Sequence, residues 1–298
     1  MTPQNAFDLL ASDYDETFTY TPIGRYLRGR VHRRLERLFQ AGDHVLELGC
    51  GTGEDALWLA GRGVSVLATD ASEAMLNIAQ AKAADNPLVQ VARLDLRLLP
   101  LTPPPNPLPV HGEGENALPL LMGEAGRGFN GVFASFGPLN GLDDWRPLAA
   151  WLSARVKPGG TAAFGVMSPL CMWEMIWHGA HGDFKTAFRR WRKDTRFQPQ
   201  KPSPPAQGEG KSSRFAAEPL RVSYPTIRRL TRDFAPHFRR VHIEPLGLFL
   251  PPSDVFGAVE KRPRLFKMLM RLEERFGRWG HLALLADHYW IEFERLNR

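Results

Sequence analysis

The sequence predicts an α/β protein built on a doubly wound, mostly parallel sheet, and three observations predict it. Val45, Leu46 and Leu48 form a short apolar run that reads as a buried strand. Gly49, Gly51 and Gly53 follow at alternate positions, where the backbone has to turn sharply and come close to a ligand. A helix then opens on Glu54-Asp55, runs through Ala56–Ala60 and stops at Gly61 and Gly63. Strand, glycine turn and helix make the first unit of a nucleotide-binding sheet.

A second strand over Val64–Thr69 ends at Asp70. A carboxylate in that place can accept hydrogen bonds from both ribose hydroxyls of an adenosine cofactor. The dinucleotide fingerprint wants a third glycine where this chain has Glu54. Glu54 and Asp55 suit the positive end of a helix but oppose a pyrophosphate docking there. Glu47, just ahead of the turn, adds a carboxylate for a cationic ligand. A phosphate-free adenosine derivative carrying an ammonium and a sulfonium, S-adenosylmethionine, meets these conditions.

On these residues the chain resembles the class I S-adenosylmethionine-dependent methyltransferases of the small-molecule or quinone-methylase type. The family's acidic-x-Gly-x-Gly-x-Gly motif is matched by Glu47–Gly53, and its ribose-binding acid by Asp70. Its adenine-contacting acid resembles Asp95, its fourth strand Phe129–Phe136, and the turn into its fifth strand Lys157–Gly160. The resemblance covers residues 10–170 well and the remainder loosely. It implies a seven-stranded, Rossmann-like sheet and places Met75 at the adenine edge and Ser135 near the transferring methyl group. It also implies an N-terminal flap whose tyrosine, here Tyr14, closes over the cofactor, with Arg25 reaching the cofactor's carboxylate. The candidate cofactor set is then Tyr14, Arg25, Glu47, Gly49, Cys50, Gly51, Gly53, Asp70, Ala71, Met75, Asp95, Leu96 and Ser135. A packed aromatic, a surface arginine and a core methionine would give the same pattern at Tyr14, Arg25 and Met75.

Composition sets the outer bounds. With 298 residues, 43% apolar and 23% charged, the chain can bury a sizeable core. Two cysteines, Cys50 and Cys171, do not make a disulfide framework, so a reducing compartment is expected. The first residues lack a signal-peptide pattern and no apolar run reaches membrane-spanning length, which makes the cytoplasm the default location. The net charge of +6 is uneven: Asp183–Arg240 holds 15 Lys/Arg against 5 Asp/Glu. That excess reads either as solvated helix faces or as a patch for anionic lipid or nucleic acid.

In chain order, residues 1–40 read as the flap, with Ile23, Leu27, Val31, Leu35 and Leu38 on one stripe and six arginines around the rest. The cofactor-binding core spans 41–170. Ser72 caps a helix over 72–84, and Val89–Asp95 forms strand three. Asp143-Asp144 cap a helix over Trp145–Val156, and strand five is Thr161–Met167. Residues 101–128 and 198–213 are crowded with Pro and Gly and share the pattern Pro-x-x-Gly-Glu-Gly; they read as two surface insertions without regular structure. Without them the chain fits a single domain spanning 1–298. The acceptor pocket and final strands occupy 171–298. Cys171–His181 is dense in Met and aromatics, a basic helix covers 184–192, and Thr226–Phe234 is helical. Val241–Glu244 and His288–Glu294 are the last two strands. The amphipathic helix Arg264–Phe276 between them could cap the site or rest on a membrane surface.

Methyl transfer from a sulfonium needs nucleophile and methyl carbon held collinear and dry; a base is needed only when the acceptor must lose a proton. Glu174, His178 and His181 are the candidates by position, the two histidines sharing a helix face. No further His or Cys cluster suits a metal, so none is expected. Ser135–Asn140 departs from the turn of amino-directed DNA methylases, and Cys171 is not preceded by the proline of cytosine-C5 enzymes. Both departures count against DNA and favour a small, hydrophobic or lipid-like acceptor. No feature of the sequence calls for an obligate protein partner. Two other readings stay open: an NAD-dependent oxidoreductase, and a protein that binds S-adenosylmethionine without catalysis.

Overall fold

The computed structural model describes residues 6–99, 128–191, 195–197, 220–252, 255–256, 259 and 261–297. Both expected insertions lie outside these residues, Gly128 excepted. Seven strands form the main sheet: β1 His44–Leu48, β2 Ser65–Asp70, β3 Val89–Arg93, β4 Phe129–Ala134, β5 Val156–Met167, β8 Phe238–Leu246 and β9 His288–Arg295. Their order is β3-β2-β1-β4-β5-β9-β8. The first five run parallel, and β9 is antiparallel to both of its neighbours. β6 Thr195–Phe197 and β7 Leu220–Val222 pair separately.

Strand order reverses between β1 and β4. In open α/β sheets ligands bind at such a point, beyond the carboxyl ends of the strands. The glycine turn follows β1 and Ser135-Phe136 follows β4, so the topology brings them to one place.

Alternation along the strands divides the core between the two sheet faces. Leu46, Leu48, Val132, Phe164 and Phe293 pack on one face, with Trp145, Leu148 and Leu152 at helix α4 (Arg146–Ser153) and Leu230 and Phe234 of helix α7 (Ile227–Phe234). Val45, Val66, Phe133, Ala163 and Trp290 face the other way. They meet Leu27, Val31 and Leu35 of α1 (Pro22–Leu38) and Leu59 of α2 (Glu54–Ala60). Leu269 of α8 (Pro263–Phe276) joins them, so the apolar stripe of this last helix covers the core. Among the described residues no helix is long and apolar enough to cross a membrane.

Most expected elements appear, with shifted ends. The expected cap holds for helix α3 (Glu73–Ala83), where Ser72 Oγ accepts from Met75 N–H; α7 starts one residue later than expected, with Thr226 as its cap accepting from Arg229 N–H. Helix α4 stops at Ser153 rather than 156, because the chain already enters β5 at Val156. Asp144 Oδ1 accepts from Arg146 N–H, but Trp145 occupies the cap position. The Pro158-Gly159-Gly160 turn lies inside β5, as an irregularity where the β4 pairing shifts register. The basic helix expected over 184–192 is a short helix α6 (Phe184–Ala187) and a 3-10 turn at Arg189–Trp191, which turns Arg190 into the interior.

The arginines of α1 are the larger surprise. Arg30 is buried and contacts Glu273 of α8 at 2.5 Å and Glu244 of β8 at 3.1 Å. Glu273 also accepts from the N–H groups of Gly247 and Phe249, at 3.1 and 2.8 Å. Arg34 binds both oxygens of Glu292 on β9, at 2.8 and 2.7 Å. Arg28 and His32 meet the buried Asp55 at the start of α2, at 2.8 and 2.7 Å. The flap helix is therefore joined to the carboxyl-terminal third of the chain by charge as well as by its apolar stripe.

Removing one partner of such a pair leaves the other buried without compensation. Arg30→Ala is expected to destabilise the fold by about 3–5 kcal/mol, measured by urea unfolding. Burial alone would raise the Asp55 carboxyl; Arg28 and His32 outweigh it and hold the group well below the usual carboxylate range. A carboxyl depressed in the fold contributes fully above its unfolded value of about 3.9 and loses that contribution as pH falls. Melting temperature followed into acid should drop less steeply for Asp55→Asn than for the wild type.

Candidate functional site

Three positive backbone angles shape the turn after β1: φ is +68° at Gly49, +53° at Gly51 and +84° at Gly53. A Cβ on Gly49 would lie 2.4 Å from Pro138 Cγ in the turn after β4, and one on Gly53 3.1 Å from Ala79 of α3. Glycine is required at Gly49 by close approach as well as by angle. Cys50 N–H donates to Thr69 O at 2.8 Å, tying the turn to β2. The turn is thus pressed between three elements.

Asp70 ends β2, and its carboxylate accepts from Gly51 N–H at 2.9 Å and Ser72 N–H at 2.8 Å. Burial raises its carboxyl above the usual value in spite of these bonds. Each oxygen keeps a second lone pair for a ligand hydroxyl. Glu47 is buried beneath the turn, and its Oε2 makes no hydrogen bond among the described residues. Burial, reinforced by the negative charge of Asp55, pushes the Glu47 carboxyl well above its ordinary range. Ser135 Oγ, at the end of β4, is likewise buried and unpartnered there. Two acceptor atoms without partners among the described residues, beside a turn with glycine at every second position, fit a cationic adenosine derivative.

The N-terminal segment closes over this cradle. Tyr14 Cε1 lies 3.9 Å from the position of a Cβ on Gly51, and burial pushes its phenol up to about 12. Asp15 accepts from Thr52 Oγ1 of the turn at 2.7 Å and from Lys82 of α3 at 2.6 Å. Lys82 also meets Glu54 at 2.5 Å. Phe18 packs edge-on against Phe136, centroids 5.2 Å apart. Phe136 itself has φ +55°, which turns its ring toward the flap.

Several candidates stand differently from their expected roles. Glu54 and Asp55 are engaged by Lys82 and by Arg28 and His32, so the sparsely partnered carboxylate at the turn is Glu47. Arg25 is exposed, its guanidinium 5.8 Å from the Tyr20 ring, on a cleft of about 380 Å³ that Arg28, His32 and Glu54 also line. The arginine that reaches the site is Arg28, 5.2 Å from the Phe136 ring and in the fields of Tyr14 and Glu47. One helical turn of spacing separates the two, which sequence periodicity does not resolve. Met75 is buried core; Ala71 and Cys50 flank the cradle. Asp95 caps a 3-10 turn containing Leu96 and pairs with Arg97 at 2.6 Å, while Leu96 packs against the core.

The candidate bases lie on helix α5 (Met172–Ala180). Glu174 is buried, and Arg190 donates to it at 2.7 and 3.0 Å, with Arg189 alongside. That engagement corrects its expected role: the carboxylate holds arginines. His181 falls past the helix end, exposed, with Nδ1 2.7 Å from Trp177 O, so it does not share a helical face with His178. Cys171, Glu174 and Asp287 bring potential ligand atoms within 4.8 Å of one another. Arg190 already lies 2.7 Å from Glu174 and 2.5 Å from Asp287, filling that place with a cation.

Comparison with known proteins agrees with this geometry. Residues 45–107 match the methyltransferase domain family. Over 94 residues the chain is 34% identical to a demethylmenaquinone methyltransferase of Clavibacter sepedonicus, a segment covering 32% of this chain and 38% of that protein. The chain therefore spans well under half of that relative. A methyltransferase structure from Mesorhizobium loti, described as S-adenosylmethionine-dependent, is similar over 90% of this chain and 98% of its own, with TM-score 0.50 and 18% identity. The CcbJ methyltransferase of Streptomyces caelestis is similar over 98% of both chains, with TM-score 0.55 and 17% identity. The matched segment carries β1, the glycine turn, Glu47, Asp70 and Asp95, so the likeness to methyltransferases in sequence lies in the part of the sheet that forms the cradle.

Proposed function

We propose that the protein transfers a methyl group from S-adenosylmethionine to a small, hydrophobic acceptor. The observation that carries the reading is the Glu47 carboxylate, buried under a backbone cradle with one oxygen unpartnered. Such an oxygen favours an ammonium over a phosphate. Bound there, the donor supplies an electrophilic methyl group with its own leaving group. The protein's residues hold it: Asp70 accepts from the ribose, Gly51 and its neighbours admit the chain, and Tyr14 excludes water from above. Phe18 and Phe136 present an aromatic wall at the acceptor side. The name of the Clavibacter relative, a methyltransferase of demethylmenaquinone, supports an apolar acceptor of this kind.

Calorimetry decides the cofactor: S-adenosylmethionine and S-adenosylhomocysteine should bind and NAD should not. Tight NAD uptake with indifference to both sulfur compounds would sink the reading. Because the Glu47 carboxyl is raised, a bound ammonium should draw it into its ionised form and release a proton. Affinity should therefore tighten as pH rises, with heats that depend on buffer ionisation. Glu47→Gln should abolish that dependence and weaken binding about 10- to 100-fold. For the acceptor, methyl-labelled donor is incubated with cell extract and the fractions are separated. Label in lipid or small-molecule fractions supports the proposal, and label confined to nucleic acid or protein refutes it.

A further inference from the structure

We propose that His288 is the general base of this protein, oriented by Asp287 and Arg190, and that the acceptor carries a phenolic or enolic O–H. The inference rests on the methyl-transfer reading and names the base and the acceptor chemistry that reading leaves open.

His288 opens β9 and lies in register with Met167 at the end of β5 and Leu246 at the end of β8. It therefore stands at the same edge of the sheet as the glycine turn. The residue is 8% exposed, and its ring meets Phe136 edge-on, centroids 6.1 Å apart. Phe136 in turn touches Phe18 of the flap and lies under Arg28, so the imidazole belongs to the wall that closes the acceptor side.

Behind the ring stands a graded series of charges. Nδ1 lies 3.0 Å from Asp287 Oδ2 without a hydrogen bond to it, so the carboxylate stands beside the ring as a close charge. Asp287 Oδ1 accepts from Arg190 Nη2 at 2.5 Å, and Arg190 Nη1 is anchored on the carbonyls of Ser168 and Asp287, at 3.1 and 2.8 Å. Burial would raise the Asp287 carboxyl, but His288 and Arg190 hold it well below the usual range, so it stays ionised. The other groups packed here do not compete for a proton. Glu174 is paired with Arg190, Tyr224 lies 5.4 Å under the Arg190 guanidinium, and burial pushes the Cys171 thiol up to about 12. With Nδ1 facing the carboxylate, Nε2 is the nitrogen left for an acceptor. Imidazole is the side chain best suited to take a proton near neutral pH, and a carboxylate behind it stabilises the imidazolium.

The acceptor class follows from this arrangement. A phenol or enol titrates near 10 and is neutral at physiological pH. It becomes a good nucleophile only as its proton leaves. The acceptor oxygen forms a bond to the methyl carbon as the carbon–sulfur bond breaks, its electron pair remaining on sulfur. The oxygen's proton passes to His288 Nε2 and then to water, and Asp287 balances the charge meanwhile. The edges and faces of Phe18 and Phe136 suit a flat, apolar ring.

The test uses the full chain, methyl-tritiated S-adenosylmethionine, and 2-naphthol and 1,4-naphthohydroquinone as acceptor probes. Wild type should methylate oxygen on at least one probe, with a rate that rises with pH through the imidazole range. His288→Gln should lose about 10²–10⁴-fold in kcat and the rising limb, while calorimetric affinity for S-adenosylmethionine stays within about twofold of wild type. Asp287→Asn should lower kcat less than His288→Gln does, with the acceptor KM and the affinity for S-adenosylmethionine within about twofold of wild type. His288→Asn replaces the glutamine variant if that one melts early. The proposal is overturned if His288→Gln keeps its rate and pH profile, if Asp287→Asn leaves kcat unchanged, or if neither probe is methylated by protein that binds the donor. Failure of wild type to bind S-adenosylmethionine would instead refute the underlying reading.

Discussion

Everything at this end of the molecule depends on a steric constraint: the turn after β1 has no room for a side chain at Gly49 or Gly53. Pro138 presses on Gly49 from the turn after β4, and Ala79 of α3 stands against Gly53. Because these contacts come from separate elements, the cradle is a junction of β1, β4 and α3 and its shape is set by tertiary packing. A backbone held on three sides can present its N–H groups without reorganising when a ligand arrives, the condition under which preorganised dipoles act most strongly.

Charge is arranged around that junction with a consistent logic. Carboxylates that the turn exposes to the protein, Glu54 and Asp55, are neutralised by Lys82, Arg28 and His32. The carboxylate that points under the turn, Glu47, is left with a free oxygen. A preference for a cation over a pyrophosphate thus follows from which acid keeps an unpartnered oxygen among the described residues. The mere presence of acids at the helix start decides little.

What could be read from the sequence was local. Strand β1, the glycine turn, α2, Asp70 and the Ser72 cap lie within thirty residues, and their chemistry is set by near neighbours. Seven strands could also be found, since apolar alternation marks each one. Long-range ion pairs could not. Arg30 meets Glu273 across 243 residues of chain and Arg190 meets Asp287 across 97, and nothing in the amphipathic pattern of α1 separates a buried arginine from a solvated one. The same limit misplaced Glu174, which by spacing alone looked free to act. His288 was read only as the first residue of a strand; the signal that could have marked it was an acid directly before a histidine at the carboxyl edge of the sheet.

Asp15 has a consequence for traffic through the site. It bonds at once to Thr52 on the loop beneath it and to Lys82 on the neighbouring helix. A molecule seated on that loop is enclosed by a lid fastened to the loop itself. Departure of a spent ligand then requires a hydroxyl bond and a partly buried ammonium–carboxylate contact to yield together, and the second of these weakens in salt. Residence time would follow ionic strength even where the bond-making chemistry does not.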